Sequence, residues 1–336
     1  MDLRQLEYFL AVVDHGGINR AAAALRVAQP SLSQAVRRLE KQLGTELFHR
    51  VGRGLVLAPA GEALIGPART ILREAESAEN AVRSIGEGSS GRIDVAALSD
   101  MSTDPLSVWV ARFRARHHNV RFRIEERDEA SEVVDVVRSG ACELGFLPTP
   151  IVSELDSEEL GSQRFVLVCP PGTDDLWQNP TPVGALAYVP LVMSGKGTAT
   201  RDHIELTLRN HGVEPRVALE VPQRGAVGPM VLSGGGAAII PLRIALDLRH
   251  RGGAVRELSP AFSRRFGVVF RPGRMTAPTA QFLGYSRRSL QGWQDLLEGH
   301  IAEGHSVIEA ASLASTEADR RLRDRNRRSA DVRPNV

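Results

Sequence analysis

The sequence predicts a protein of the α/β class in three parts: a small helical unit ending in a β-hairpin, a long linker helix, and a larger domain of alternating strands and helices. Three observations lead to this prediction. Short apolar stripes with helical spacing fill residues 1–58, a heptad pattern occupies 59–87, and strand and helix patterns alternate over 92–299. Residues 300–336 lose periodicity and end in an arginine-rich run at 320–328, so we predict a frayed helix or, more simply, a disordered tail.

The composition is that of a soluble globular protein. Of its 336 residues, 42% are hydrophobic and 24% are charged, and the formal net charge is +2. No apolar run approaches the roughly 20 residues of a membrane span, and the charged N-terminus lacks the pattern of a signal peptide. We therefore expect a cytoplasmic protein that does not associate with membranes.

The two cysteines do not suggest a metal site or a bound cofactor. Cys142 and Cys169 lie in or beside apolar runs, without the spacing of zinc ligands. We expect both thiols to be buried and unreactive, and a redox switch between them is the less favoured alternative.

Three helices and a hairpin are predicted in the first part. Leu3, Leu6 and Phe9 begin the stripe of a first helix that ends at Gly16-Gly17, where glycine suits the C-terminal cap. We expect Asn19 to cap a second, alanine-rich helix that ends near residue 25, and a third helix to start near Pro30. Two short strands, near residues 47–48 and 55–57, enclose a basic turn at 50–54.

Many residues between 18 and 61 match one known pattern: Ala21-Ala22, Leu25, Gln29-Pro30, Ser33, Arg38-Leu39-Glu40, Leu43-Gly44, Leu47-Phe48, Arg50, Leu57 and Gly61. In this pattern the chain resembles the N-terminal domain of LysR-type transcriptional regulators. Ala28 and Ala58 depart from it, standing where the family usually has serine and threonine. The resemblance implies a winged helix-turn-helix DNA-binding domain at 1–58, with the helix-turn-helix at about 18–37. It also implies a sequence-specific transcriptional regulator of promoter DNA and no enzymatic activity.

The third helix is the predicted recognition helix. The N-terminal residues of such a helix meet base edges in the major groove, while basic residues further along meet phosphates. Glutamine amides suit adenine, and an arginine at a hairpin tip can enter the adjacent minor groove. The alternative interpretation is three ordinary helices with solvated charges. The predicted DNA contacts are Gln29, Pro30, Ser31, Ser33, Gln34, Arg37, Arg38, Arg50 and Arg53.

The heptad seam of the linker predicts a homodimer. Its members alternate in spacings of four and three: Leu64, Ala68, Ile71, Ala75, Ala78, Val82 and Ile85. A glycine- and serine-rich hinge follows at 88–91. The family resemblance further implies that effector domains pair the dimers into a homotetramer, and we name RNA polymerase as a further candidate partner.

Residues 92–299 resemble the effector-binding domain of the same family, a two-lobed α/β domain like that of periplasmic binding proteins. The matching segments are Gly140–Phe146 and the helix–glycine–strand run at 230–241. The resemblance implies lobe I at about 92–163 and 268–299, lobe II at about 164–267, and a small-molecule effector bound between them.

Two loops are predicted to hold that effector. One follows the first strand and the other precedes a helix in lobe II, and helix N-termini with hydroxyls and a lysine favour an anionic group. A carboxylate with a second polar group is one candidate. The alternative is that these hydroxyls only cap helices. The predicted effector contacts are Ser99, Asp100, Met101, Ser102, Lys196 and Thr198.

A transport component and an enzyme fused to a DNA-binding domain are the other two interpretations. The helix-turn-helix pattern and the lack of a signal peptide argue against transport. We find no nucleophile elbow, P-loop, zinc-protease motif or dinucleotide fingerprint in the sequence, which argues against the enzyme.

Overall fold

The N-terminal unit is the predicted arrangement of three helices and a hairpin. The computed structural model describes residues 1–51, 54–83, 90–273 and 275–331. The unit comprises α1 (Leu3–His15), α2 (Ile18–Leu25), α3 (Gln29–Leu43), β1 (Phe48–Val51) and β2 (Gly54–Leu57).

The ends of the first helices follow local chemistry. Asp2 accepts a hydrogen bond from the Gln5 N–H at 2.8 Å, and the Gln5 side chain accepts one from the Asp2 N–H at 2.9 Å, which forms a capping box at the start of α1. Gly16 ends this helix in the left-handed region at φ 64°. The prediction that Asn19 caps α2 is wrong, because α2 begins at Ile18 and its cap is Gly17, two residues before Asn19.

The linker helix α4 (Pro59–Arg83) packs on this unit along its first half. Ala68 of the heptad seam is wholly buried in a cluster with Leu6, Phe9 and Leu10 of α1, because its small side chain lets the two helices approach closely. Ile71 and Val82 of the seam are exposed. Ile85 and residues 88–89 of the predicted hinge lie outside the described residues.

The larger domain contains a seven-stranded mixed sheet. Its strand order is β10-β6-β13-β5-β3-β4, with β11 also paired to β6. The elements up to the last strand are β3 (Gly91–Leu98), α5 (Ser99–Met101), a π-helical turn (Ser102–Leu106), α6 (Ser107–Arg114), β4 (Val120–Arg127), α7 (Ala130–Arg138), β5 (Leu144–Pro148), β6 (Asp156–Cys169), β7 (Thr181–Pro182), β8 (Pro190–Ser194), α8 (Ala199–Asn210), β9 (Arg216–Val221), α9 (Val227–Leu232), β10 (Ala238–Pro241), α10 (Leu242–His250), β11 (Ala254–Arg256), β12 (Leu258–Ser259) and β13 (Phe262–Phe270).

Two long strands connect two lobes. The parallel trio β4, β3 and β5 belongs to lobe I, whereas the parallel pair β8 and β9 belongs to lobe II. Strands β6 and β13 run antiparallel through both lobes, and the apolar clusters divide along them: Phe266 packs in the core of lobe I, and Phe262 and Phe165 pack in that of lobe II. The predicted boundaries at 163/164 and 267/268 fall within these two strands.

Of the two structures predicted for the tail, the described residues form a helix, and the prediction of disorder is wrong for them. After α11 (Ala277–Ala302), the chain turns and forms α12 (Val307–Asp331). Ile308, Ala311 and Ala314 share one face of α12 and are buried against the second lobe, and Ser306 and Glu309 cap its start. A stripe of mostly small residues is enough to dock this helix because alanine allows close approach. None of the helices in the described parts of the chain has the length and apolarity needed to cross a membrane.

Candidate DNA-binding surface and interlobe cavity

The polar residues of α3 form an exposed surface. Leu32, Val36 and Leu39 anchor the helix in the core, which turns its opposite face outward. Ser33 is half-buried, and the remaining predicted contacts on this helix are exposed: Gln29, Pro30, Ser31, Gln34, Arg37 and Arg38. The first turn of α3 is therefore free to approach another molecule.

The hairpin is tied to α3 by one carboxylate. The Glu40 Oε1 atom accepts hydrogen bonds from the N–H groups of Leu47 at 2.9 Å and Phe48 at 3.3 Å. Glu40 thus fixes the angle between the recognition helix and the wing. Arg50 lies on β1, but its side chain and the whole of Arg53 are outside the described residues, so their DNA contacts stay predictions.

A cavity of about 650 Å³ lies between the lobes. Ser99, Asp100 and Thr103 line it from lobe I, and Ser194 and Thr200 line it from lobe II. The acidic and basic residues of its lining are equal in number, four aspartates and four arginines: Asp100, Asp104, Asp247, Asp319, Arg112, Arg224, Arg243 and Arg251. This surface suits a polar ligand with little net charge.

A buried ion pair lies at the base of the cavity. Arg264 on the crossing strand β13 donates a hydrogen bond to Asp100, and a second at 2.9 Å to the Oε1 atom of Gln163 on β6. The Gln163 amide in turn donates to the Asp104 carbonyl at 2.9 Å. The Arg264 guanidinium also lies 5.3 Å from the ring centre of Phe165, so the pair joins lobe I to both crossing strands.

A second ion pair lies on the lining itself. Arg243 on α10 is 3.1 Å from the Asp104 carboxylate and stacks 4.8 Å from the ring centre of Trp293. Burial raises the pKa of Asp104, and the positive charge of Arg243 opposes that rise.

Several buried polar atoms near the cavity have no hydrogen-bond partner among the residues the structure describes. They are Asp100 Oδ1, Ser102 Oγ, His203 Nε2, Arg224 Nη1 and Arg264 Nε. Arg224 bridges the lobes, since its Nη2 atom donates to the Asp128 carboxylate at 2.8 Å while its Nη1 stays unpaired. Unpaired buried groups are costly, so their accumulation around one cavity indicates a binding site.

The predicted effector residues separate into two groups. Ser99 and Asp100 line the cavity, and Ser102 is buried beside them. Met101 is wholly buried in the core of lobe I, and Lys196 is exposed on a loop outside the lining.

The hydroxyls do not act as the alternative interpretation supposed. Thr198 precedes α8 but donates to the Gly195 carbonyl at 3.0 Å and makes no cap bond. Thr103 donates to the Ser99 carbonyl at 3.1 Å, within the helical segment that starts at Ser99 directly after β3.

The sequence contains a signal for Arg264, which was not among the predicted site residues. In β13, Phe262, Arg264 and Phe266 alternate with exposed Ser263 and Arg265. Period-two alternation in a strand predicts that Arg264 points inward with the two aromatic residues. Arg224 and Arg243 carry no comparable signal, because their partners are distant in sequence.

The linker helix contacts lobe I through arginines. Arg73 on α4 is buried and donates to the Gly140 carbonyl at 2.7 Å, and the Glu143 carboxylate lies 3.9 Å away. Arg271 donates from lobe I to the Gly66 carbonyl at 3.2 Å and to Thr70 at 2.8 Å. Burial raises the pKa of Glu143 and lowers the pKa of Arg73. A polar joint therefore connects the DNA-binding unit to the larger domain.

Both cysteines are buried and free, as predicted. Burial raises the pKa of Cys142 to about 12 and that of Cys169 to about 12, so neither is a thiolate at neutral pH.

A winged helix-turn-helix joined by one helix to a two-lobed α/β domain with a polar interlobe cavity defines a ligand-responsive transcriptional regulator. The family models agree in both parts of the chain. Residues 3–62 match the bacterial regulatory helix-turn-helix protein of the lysR family, and residues 86–291 match the LysR substrate binding domain. The chain belongs to the LysR family of DNA-binding transcriptional regulators, in which the second domain takes a small-molecule effector.

Relatives and solved structures of this family cover most of the chain. The RuBisCO operon transcriptional regulator of Allochromatium vinosum is 29% identical over 286 residues, which cover 83% of this chain and 93% of that protein. Full-length OxyR from Pseudomonas aeruginosa, solved as a cysteine-to-aspartate variant, superimposes with a TM-score of 0.64 at 21% identity, over 87% of this chain and 95% of the other. CbnR complexed with its target DNA gives a TM-score of 0.57 at 23% identity, over 86% and 99%.

Proposed function

We propose that this regulator responds to a small carboxylate that also carries a hydrogen-bond donor, bound in the interlobe cavity. The observation that carries the proposal is that two buried atoms have no hydrogen-bond partner among the described residues: the donor Arg224 Nη1 and the acceptor Asp100 Oδ1. A carboxylate can accept from the arginine, while a hydroxyl or amino group can donate to the aspartate. The cavity volume lies within the range of about 300–1,000 Å³ typical of small-molecule sites.

The ligand acts by preferring one arrangement of the lobes. Asp100 belongs to lobe I and Arg224 to lobe II, so a molecule that binds both favours the closed arrangement. Lobe I is joined to the linker helix through Arg73 and Arg271, and a movement of the lobe therefore reaches the DNA-binding unit. We expect the effector to change the footprint on DNA more than the affinity.

Promoter recognition is assigned to α3. Gln29, Ser33 and Gln34 read base edges, while Arg37 and Arg38 contact phosphates, with Arg50 and Arg53 as further contacts from the wing. The exposed first turn of α3 supports this assignment. Gln29→Ala should weaken specific binding by about 1–3 kcal/mol, whereas Arg37→Ala should weaken binding to all sequences and reduce the salt slope by about 1. Gel shifts over a range of salt concentrations measure both effects. If both variants lowered specific and non-specific affinity equally, the assignment would be contradicted.

Assembly is assigned to the second half of α4. Ile71, Ala78 and Val82 leave an exposed stripe on this helix, which suits pairing with α4 of a second copy. Pairing of effector domains into a tetramer, and contact of the DNA-bound assembly with RNA polymerase, belong to the same proposal.

The experiment compares two cations of lobe II. Small carboxylates are screened by thermal shift, and any that bind are tested by footprinting on the upstream DNA of the protein's own gene. Arg224→Ala should lose the ligand-induced change in footprint and keep ligand-free DNA binding. Lys196→Ala is the matched control, because Lys196 is exposed and lies outside the cavity lining. A response that depends on Lys196 and not on Arg224 would overturn this placement of the anionic group.

A further inference from the structure

The turn between α11 and α12 brings two histidines together. The Gly304 N–H donates to the Ile301 carbonyl at 3.0 Å and the His305 N–H donates to the His300 carbonyl at 3.2 Å. These two bonds, with Gly304 in the left-handed region at φ 96°, form a Schellman motif. The motif places residues 300 and 305 beside each other, and this pair of positions is usually apolar. Here both positions are histidine.

A carboxylate completes the cluster. The Glu303 Oε2 atom lies 3.0 Å from His300 Nδ1, and the rings of His300 and His305 are 6.0 Å apart between centres. One ligand atom from each of the three residues lies within 4.8 Å of the other two. In the described ranges of the chain, no other group of three histidine, cysteine or acidic residues comes this close.

A second carboxylate lies near the other ring nitrogen of His300. Glu317 on α12 places its Oε2 atom 3.5 Å from His300 Nε2, which is buried and has no hydrogen-bond partner. Nδ1 therefore faces the cluster while Nε2 faces an acidic group. A carboxylate that accepts from the far nitrogen of a metal-bound histidine fixes the tautomer of the ring and strengthens the ligand.

We propose that His300, Glu303 and His305 form a binding site for a divalent transition metal ion, zinc above all, with Glu317 orienting His300. Two imidazole nitrogens and one carboxylate oxygen are a donor set that zinc accepts readily, whereas magnesium and calcium prefer oxygen ligands throughout. Zinc bonds of about 2.0–2.2 Å require the ligand atoms to lie about 3.4 Å apart. Rotation of the exposed His305 and Glu303 side chains provides this closure, and water takes the fourth position.

The position of the site ties it to α12. The metal would fix the corner from which α12 starts, and through Glu317 it would act on the helix itself. Thr316 and Asp319, which lie near Glu317 on α12, line the interlobe cavity. Bound zinc should therefore stabilise the docked position of α12.

The test uses the entire chain, freed of metal with a chelator. Zinc is titrated in competition with a chromogenic chelator, and we expect one ion per chain with micromolar affinity or better. His305→Ala should weaken binding by at least 100-fold, and Glu317→Gln by about 10–100-fold. Zinc should raise the melting temperature of the parent chain and not that of His305→Ala. His305 is exposed, so the variant is expected to fold, as circular dichroism will show.

His49→Ala is the matched control. His49 lies 3.1 Å from Glu46, three residues away, in the same pairing as His300 and Glu303 but without a second histidine in reach. Zinc affinity in this variant should equal that of the parent chain. Affinity that is unchanged in His305→Ala, or lost equally in His49→Ala, would overturn the site, as would the absence of stoichiometric binding in the parent chain.

Discussion

Removing one partner of the buried pair Asp100 and Arg264 is expected to lower the free energy of unfolding strongly. Their side chains are 7% and 4% exposed, so the charge that remains after one partner is removed stays largely shielded from bulk water. Arg264→Met keeps the aliphatic stem beside Phe165 and removes the charge. Asp100 then retains no hydrogen bond among the described residues, because Arg264 is the partner of Oδ2 and Oδ1 has none. Breaking a buried pair in this way costs about 3–5 kcal/mol.

The assay is urea unfolding at pH 7 of Arg264→Met, Asp100→Leu and the double variant. The double variant removes both charges of the pair and should recover much of the loss. The double-mutant cycle should then give a coupling energy of about 2 kcal/mol or more. Arg265→Met is the control on the same strand, since Arg265 is 66% exposed and lies 3.5 Å from Glu159. It should cost less than about 1 kcal/mol. Equal losses at positions 264 and 265, or strictly additive losses in the double variant, would refute the reasoning.

Three further predictions concern other parts of the molecule. Burial lowers the pKa of His203 to about 4, whereas the unfolded chain takes up this proton near pH 6.5. The free energy of unfolding should therefore fall as pH drops from about 6.5 to about 4, and urea unfolding of His203→Gln should show a weaker fall. Glutamate at Ile71 and Ala78 should halve the mass seen by light scattering, while Ala68→Glu, at an intrachain contact, should instead lower the stability of the DNA-binding unit. Deletion of the chain from Ser306 onward should cost about 3–5 kcal/mol, because it strips the buried face of α12 from lobe II; an unchanged melting temperature would contradict this.

The sequence correctly predicted the structural features that depend on residues close together in the chain. The stripe that includes Leu6 and Phe9, with Gly16 after it, defines α1 because both signals lie within one helix. Ser99 and Asp100 were located because parallel strands open their carboxyl ends toward a cleft. These features need no knowledge of distant contacts.

The rest depended on tertiary contacts or on weak patterns. Arg224 and Arg243 find their partners across the lobes, and no local spacing selects Asp128 or Asp104 for them. The helix α12 was predicted only as a frayed alternative to disorder, because its stripe is mostly alanine and its composition is rich in arginine. Even so, Ser306 and Glu309 provided a capping signal three residues apart.

The packing of α12 has a consequence for the speed of the response. Ser312, Ser315, Thr316 and Asp319 make the last helix of the described chain one wall of the cavity. A helix held by a narrow, mostly alanine face can detach at a smaller free energy than a core strand, so this wall can open while both lobes stay folded. Exchange of the effector then follows the detachment rate of α12. A ligand that contacts α12 slows this detachment, so two ligands of equal affinity can hold the regulator in its bound state for different times.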